Sequence, residues 1–337
     1  MKALVLRKHG GLGDLEVVGD YPVPQATEGN VVIRVRASSF NYHDVFTVKG
    51  MPGIKVPLPV VIGLDMAGEI AEVGPGVAKW KAGDRVLVNP LNKKKGLMGE
   101  MLDGGMAEYC LVAADQLVAV PNGVSFEDAA SLPVAYGTAH RMLITHKTVK
   151  SGDRVIVLGA SGGVGTACVI LAKLLGAEVI ACASSEAKMA RLKELGADEA
   201  IDYTTDFTAT VRDQDVVLDV VGGDYPARAL DVLKPGGMLV STQPPSVAAV
   251  ADAAAQRDIR VAGVIVEADE VGMAALADLA ARGQLVPTIA ATFPLEEARA
   301  ASAMADLAAT GQQFPLEQGG ATESGRHGPG KVVLTME

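Results

Sequence analysis

The 337 residues exceed the length over which a single hydrophobic core usually grows, so two domains are expected. Hydrophobic residues at 49% and charged residues at 21% exclude a disordered chain, and 38 glycines beside only 4% aromatics point to helices packed closely on sheets rather than to an aromatic binding platform. A formal charge of -10 excludes broad electrostatic binding to nucleic acid or to an anionic membrane.

The opening segment MKALVLRKHG turns polar too early for a signal peptide, and no apolar run approaches the ~20 residues of a membrane span, so a soluble, cytoplasmic protein is expected. Residues 1–120 read as short strands (ALVL, NVVIRVRA, AGEIAEVG, DRVLVN, AEYCLVA). Turns such as Val73-Gly74-Pro75-Gly76 and Lys81-Ala82-Gly83-Asp84 separate them, which describes a β-rich, barrel-like domain. Lys93-Lys94-Lys95 reads as a solvated loop, the alternative being a phosphate contact for a CoA-like substrate.

From residue 151 the pattern changes. RVIVLG, a helix to Leu175, EVIACA, a helix ending near Gly196, EAIDY, DVVLDVVG, a helix ending at Lys234-Pro235-Gly236-Gly237, MLVSTQ, another helix and IRVAGVIV alternate in turn. Six strands with intervening helices predict a doubly wound parallel sheet. A helix over residues 271–281, a further helix over FPLEEARAASAMADLAA, an aperiodic loop QGGATESGRHGPG and a strand KVVLTM return the chain to the first domain. The boundaries expected are 1–120 with 269–337 for the β-rich domain and 121–268 for the α/β domain. Cys110, Cys168 and Cys182 have neither CxxC spacing nor an even count and are expected to be core thiols.

The strand ending at Leu158 runs into Gly159-Ala160-Ser161-Gly162-Gly163-Val164-Gly165 and then straight into a helix. Ala160, Gly162 and Gly165 take the three small-residue positions of a dinucleotide fingerprint, where a side chain would block the tight turn, the pyrophosphate or the helix-strand contact. The phosphates are expected at the helix N-terminus, where free N–H groups and the dipole favour negative charge. About 20 residues after such glycines an NAD site usually carries an acid against the ribose 2′-hydroxyl. Here Ser184 and Ser185 stand with Lys188 one turn on, which favours a 2′-phosphate and so NADPH; Glu186 is the feature that speaks for NADH.

These features, with Ser39-Phe40-Asn41-Tyr42-His43-Asp44, Gly63-Leu64-Asp65-Met66-Ala67-Gly68, Leu132-Pro133-Val134-Ala135-Tyr136-Gly137-Thr138-Ala139 and the terminal Gly330-Lys331-Val332-Val333-Leu334, make the chain resemble the medium-chain dehydrogenase/reductase superfamily over its whole length. Within it, the resemblance is to the zinc-free quinone oxidoreductase-like branch. It implies a Rossmann domain beside a GroES-like catalytic domain. Zinc-dependent members carry Cys, Gly-His-Glu and a further Cys or Glu where this chain has Asn41, Leu64 with Asp65, and Pro133-Val134, so no metal is expected.

The resemblance places Asn41, Thr138, Gly162, Gly163, Val164, Ser184, Lys188, Tyr203, Val264 and Lys331 around the cofactor, with Ala160 and Gly165 in the same turn. Tyr42 and His43 become the candidate proton donors, and Asp65 a polar support near the nicotinamide. A tyrosine common in related quinone and enoyl reductases is replaced by Gly50-Met51-Pro52. Hydride addition to an alkene already conjugated to a carbonyl needs positioning and a donor for the developing enolate, not a Lewis acid. The function expected is therefore NADPH-dependent reduction of quinones, enones or other activated C=C bonds. The alternatives are an alcohol dehydrogenase or carbonyl reductase of the same superfamily and a noncatalytic NADPH-binding protein. The last strand of the α/β sheet, IRVAGVIV, ends at an edge whose pairing with a second copy gives an expected homodimer.

Overall fold

The computed structural model describes residues 1–265, 269–299, 301 and 330–336. They divide into two compact units: the first takes residues 1–134 with 269–299, 301 and 331–336, the second residues 135–265 with Gly330.

The first unit is built on a seven-stranded sheet. Its path runs Leu117–Ala119, Arg85–Val88, Asp65–Val73, Asn30–Ser39, Lys331–Thr335 and Ile289–Pro294, with Tyr109–Ala113 added on Asn30–Ser39. All pairs are antiparallel except the last two strands of the path, which run parallel. The β-branched residues of NVVIRVRA explain why Asn30–Ser39 forms the hub: Val31, Ile33 and Val35 are buried in the main core with Ile70, Val86, Val112 and Leu334. A small sheet of Glu16–Val18, Ala3–Leu6 and Val60–Val61 and the two-stranded ribbon Leu91–Asn92 with Gly96–Leu97 complete the β elements. Helix Phe126–Ser131 packs on Asn30–Ser39 and Asp65–Val73, and Ser39 Oγ donates to the Ala130 carbonyl at 2.9 Å, which ties this helix to the first unit.

The second unit holds the six-stranded parallel sheet that the alternating pattern predicts, in the order Glu199–Asp202, Glu178–Ala183, Arg154–Leu158, Gln214–Asp219, Leu233–Ser241 and Arg260–Gly263. This is the strand order of a Rossmann fold, and the first strand lies at its centre. Cys168 and Cys182 are buried here and Cys110 in the first unit; all three are free thiols that burial pushes up in pKa.

Two local readings change. Lys234-Pro235-Gly236-Gly237 does not close a helix; it is an excursion inside the strand Leu233–Ser241, where the partner register jumps from Leu233 to Met238. The preceding helix, Tyr225–Ala229, ends earlier. Phe293 and Pro294, read as the start of a helix, end the strand Ile289–Pro294 and lead into a single turn, Leu295–Glu297. The rest of that expected helix beyond residue 301, and the loop over 318–329, lie outside the described residues.

Candidate active site

Strand register assembles the polar centre of the first unit. Ser39 pairs with both Asp65 and Val333, so the end of Asn30–Ser39 lies between the starts of its two neighbours. Continuing the antiparallel register by two residues sets Lys331 opposite Asn41, and a bond from Phe40 N–H to the Val332 carbonyl at 2.9 Å keeps it there.

Around the fully buried Asp65 the four nearest donors converge. Its Oδ2 accepts from Asn41 Nδ2 at 2.9 Å, Ser39 Oγ at 3.1 Å and Lys331 Nζ at 3.1 Å, while Oδ1 accepts from the Val134 N–H at 3.0 Å. Lys331 also donates to Asn41 Oδ1. Three residues assigned to the site from sequence, two as cofactor contacts and one as a support, thus form one hydrogen-bonded cluster, in which Asp65 orients the other two.

Helix Tyr42–Lys49 starts at this cluster. Asp44, in its first turn, accepts from the Asn41 N–H at 2.7 Å and thereby caps the helix. Burial pushes the Asp44 carboxyl up to about 6, against the pull of the Asn41 N–H, His43 and Lys331, and its Oδ1 has no hydrogen-bond partner among the described residues. His43 turns toward the ribbon loop, where its Nε2 lies 2.7 Å from Glu100 Oε2. Tyr42 is half exposed and stacks edge-to-face on Phe46, ring centroids 4.5 Å apart. Glu100 carried no signal in the sequence. Lys93, in the same loop region, is paired with Glu270 at 3.2 Å.

In the second unit the glycine turn has the predicted form. Gly162 caps helix Gly163–Leu174, with Val164 partly buried in its first turn. Gly159 adopts φ +74, open to glycine, and a Cβ on Gly165 would fall 2.2 Å from the Gly159 carbonyl oxygen. At Gly162 the nearest atom to such a Cβ is 3.8 Å away, so nothing among the described residues requires glycine there. The buried Ala160 donates its N–H to the Cys182 carbonyl at 2.9 Å, joining the turn to the neighbouring strand.

Ala183 and Asp202 are paired at the C-terminal ends of their strands, which brings Ser184, Ser185 and Tyr203 to the same edge of the sheet. Among the described residues, the side chains of Ser184, Ser185 and Lys188 make no hydrogen bond or ion pair within the protein, and Glu186 is exposed beside them. Tyr203 packs on Tyr225 with centroids 5.2 Å apart, and burial raises its pKa. Val264 is buried and donates its N–H to the Ser241 carbonyl at 2.8 Å. Thr138 is fully buried, and its Oγ1 has no partner among the described residues. The glycine cradle, the unsatisfied hydroxyl and the free cation suit a phosphorylated dinucleotide.

In sequence, the model of the alcohol dehydrogenase GroES-like domain matches residues 27–122 and that of zinc-binding dehydrogenase matches residues 195–312. The chain is 36% identical over 244 residues to the chloroplastic NADPH-dependent alkenal/one oxidoreductase of Arabidopsis thaliana, covering 72% of this chain and 62% of that protein. The chain thus spans less than two thirds of that relative's length. The structure of the quinone oxidoreductase from Coxiella burnetii superposes with a TM-score of 0.85 at 30% identity, covering 100% of this chain and 99% of that one. An NAD-dependent alcohol dehydrogenase structure gives a TM-score of 0.85 at 30% identity and full coverage of both chains. The chain belongs to the medium-chain dehydrogenase/reductase superfamily.

Zinc, which some members of the medium-chain dehydrogenase/reductase superfamily bind, does not suit the residues this member presents. Leu64 and Val134 are buried side chains without a ligand atom, and both oxygens of Asp65 are engaged, one of them beside the Lys331 ammonium. A divalent cation would have to displace that ammonium. Among the described residues no group of three or more His, Cys, Asp or Glu side chains is arranged to hold a metal.

Proposed function

We propose that this chain is an NADPH-dependent reductase of quinones, enones or related activated alkenes that works without a metal. The observation that carries the reading is the Asp65 cluster: an ammonium 3.1 Å from the Asp65 carboxylate and bonded to Asn41 takes the centre of the site and is no Lewis acid, so the substrate must already be activated. The alkenal/one and quinone oxidoreductases among its relatives support the same substrate class.

When bound, the reduced nicotinamide supplies the hydride. The chain's own residues do the rest. Gly162, Gly163, Val164 and the helix behind them would hold the phosphates, with Ala160 and Gly165 allowing the turn; Thr138, Tyr203 and Val264 would line the dinucleotide, and Asn41 and Lys331, oriented by Asp65, would serve its nicotinamide end. Ser184, Ser185 and Lys188 offer donors and a charge to a 2′-phosphate, the basis for NADPH over NADH. Tyr42 and His43 are the candidate donors to the enolate oxygen.

Titration with NADPH and NADH, followed by loss of reduced-cofactor absorbance with a quinone, an enone, an enoyl thioester and an aldehyde, tests the reading. Preference for NADPH with consumption of a conjugated acceptor in the presence of chelator is expected. Turnover of the aldehyde alone, or cofactor binding without any turnover, overturns it.

We further propose a cytoplasmic homodimer. No helix among the described residues is long and apolar enough to cross a membrane, and among those residues strand Arg260–Gly263 is paired on one side only, by Leu233–Ser241, an edge that suits a second copy. A monomer mass by light scattering at micromolar concentration refutes the dimer.

A further inference from the structure

Glu100 is a buried carboxylate, 4% exposed, whose side chain makes one hydrogen bond among the described residues, to His43. A single hydrogen bond is poor compensation for burying a carboxylate, and a glutamine would span the same distance at lower cost. The loop that carries Glu100 is fixed by its backbone. Met98 N–H bonds to the Pro90 carbonyl at 2.9 Å, Gly99 N–H to Leu102 at 2.8 Å and Met101 N–H to Leu97 at 2.9 Å. Gly99 adopts φ +71 with its Cα so close to Gly63 that a Cβ would fall 2.7 Å from the Gly63 nitrogen. The carboxylate is therefore held in place by the chain around it, and the imidazole is oriented by the carboxylate.

A carboxylate at Nε2 requires that nitrogen to carry a proton, which leaves Nδ1 as the working nitrogen. Nδ1 of His43 has no hydrogen-bond partner among the described residues, and the His43 side chain keeps 20% of its surface open to solvent. When Nδ1 also carries a proton, Glu100 is the counter-ion of the resulting imidazolium.

We propose that Glu100 is a positioning residue that holds His43 through Nε2–H, so that Nδ1 delivers the proton in the reduction proposed above. This rests on that reading. In the step, the acceptor's β-carbon gains the hydride from the reduced nicotinamide, the C=C pair shifts to form the enolate double bond as the carbonyl π pair moves onto oxygen, the Nδ1–H bond breaks as an O–H bond forms on that oxygen, the resulting enol exchanges its O–H proton for one on the α-carbon through solvent to give the saturated carbonyl, and solvent returns a proton to Nδ1.

The test combines kinetics with ¹⁵N NMR of the histidine rings in the cofactor-free protein, the His43 signals being assigned by their loss in His43→Asn. Wild-type protein is expected to show a proton on His43 Nε2, and Glu100→Gln a mixture of ring forms. With the conjugated acceptor, Glu100→Gln is expected to lower kcat by roughly 10- to 100-fold, part of the roughly 100- to 10,000-fold that general acid catalysis supplies, while KM stays within about twofold. The double variant His43→Asn/Glu100→Gln should be no slower than His43→Asn alone.

A wild-type ring protonated on Nδ1 only, a Glu100→Gln enzyme as fast as wild type, or additive losses in the double variant would each overturn the proposal. The NMR result on wild-type protein decides even if Glu100→Gln does not fold. Failure of wild-type protein to reduce any conjugated acceptor instead removes the reading on which the proposal stands, and is distinguished by occurring before any substitution.

Discussion

Lys331 and Asp65, 266 residues apart in sequence, hold an ammonium 3.1 Å from a carboxylate with side chains only 3% and 0% exposed. Removing one member of such a pair leaves the other charge buried without its counter-charge. Lys331→Met is expected to destabilise the protein by about 3–5 kcal/mol, and adding Asp65→Asn to recover part of that loss by removing the orphaned charge. Urea unfolding of the two single variants and the double variant measures both; strictly additive effects would mean that the pair is not coupled.

Asp44 makes stability depend on pH in an unusual direction. Burial raises its carboxyl from its ordinary value of 3.8 to about 6, so between these values the folded state binds the proton that the unfolded state has released. The contribution is fully present below about pH 4 and is lost as pH rises through about 6. Asp44→Asn removes it, so the variant's stability relative to wild type should climb from pH 4 to pH 7 by about 1–3 kcal/mol. Denaturant melts across that range test the sign; a difference that stays flat refutes it.

The two glycines of the nucleotide turn should respond oppositely. Gly165→Ala drives a Cβ to 2.2 Å from the Gly159 carbonyl and should lower stability by roughly 1–3 kcal/mol with or without cofactor. Gly162→Ala has room in the free protein and should keep its melting temperature while weakening NADPH binding at least about 10-fold, as expected where the backbone approaches pyrophosphate. Equal effects of the two on stability would remove the distinction.

Cofactor choice should reverse with one carboxylate. Ser184→Asp places an acid at the sheet edge next to Lys188, repelling a 2′-phosphate and accepting from a ribose hydroxyl. NADPH affinity should fall by roughly 10-fold or more, with NADH affinity held or improved. An unchanged NADPH to NADH ratio in fluorescence titration would place the selectivity elsewhere.

The regular elements were readable because each carries its own local pattern: β-branched runs such as NVVIRVRA and RVIVLG, and Gly162 to Gly165 between a strand and a helix. Elements of two or three residues, such as Val60–Val61 and Glu16–Val18, are too short to show any period. Lys234-Pro235-Gly236-Gly237 has turn chemistry and is a turn, but one inserted within a strand, which only the partner register reveals. For the site, Asn41, Asp65 and Lys331 could be named through family likeness, yet their union depends on three strands ending side by side. Glu100 was invisible because its partner lies 57 residues earlier, and a glutamate in a glycine-rich loop looks like any solvated charge.

The strand Lys331–Thr335 lies inside its sheet, between Asn30–Ser39 and Ile289–Pro294. The other unit draws all six strands from residues between Arg154 and Asp202 and between Gln214 and Gly263. On the ribosome, therefore, the six-stranded sheet of the nucleotide-binding unit is complete while the barrel-like unit still waits for Ile289–Pro294 and Lys331–Thr335. Until they emerge, the Ala37–Ser39 end of Asn30–Ser39 offers an unpaired edge and Asp65 lacks the Lys331 ammonium, so this half of the nascent chain is the one in need of shielding from aggregation.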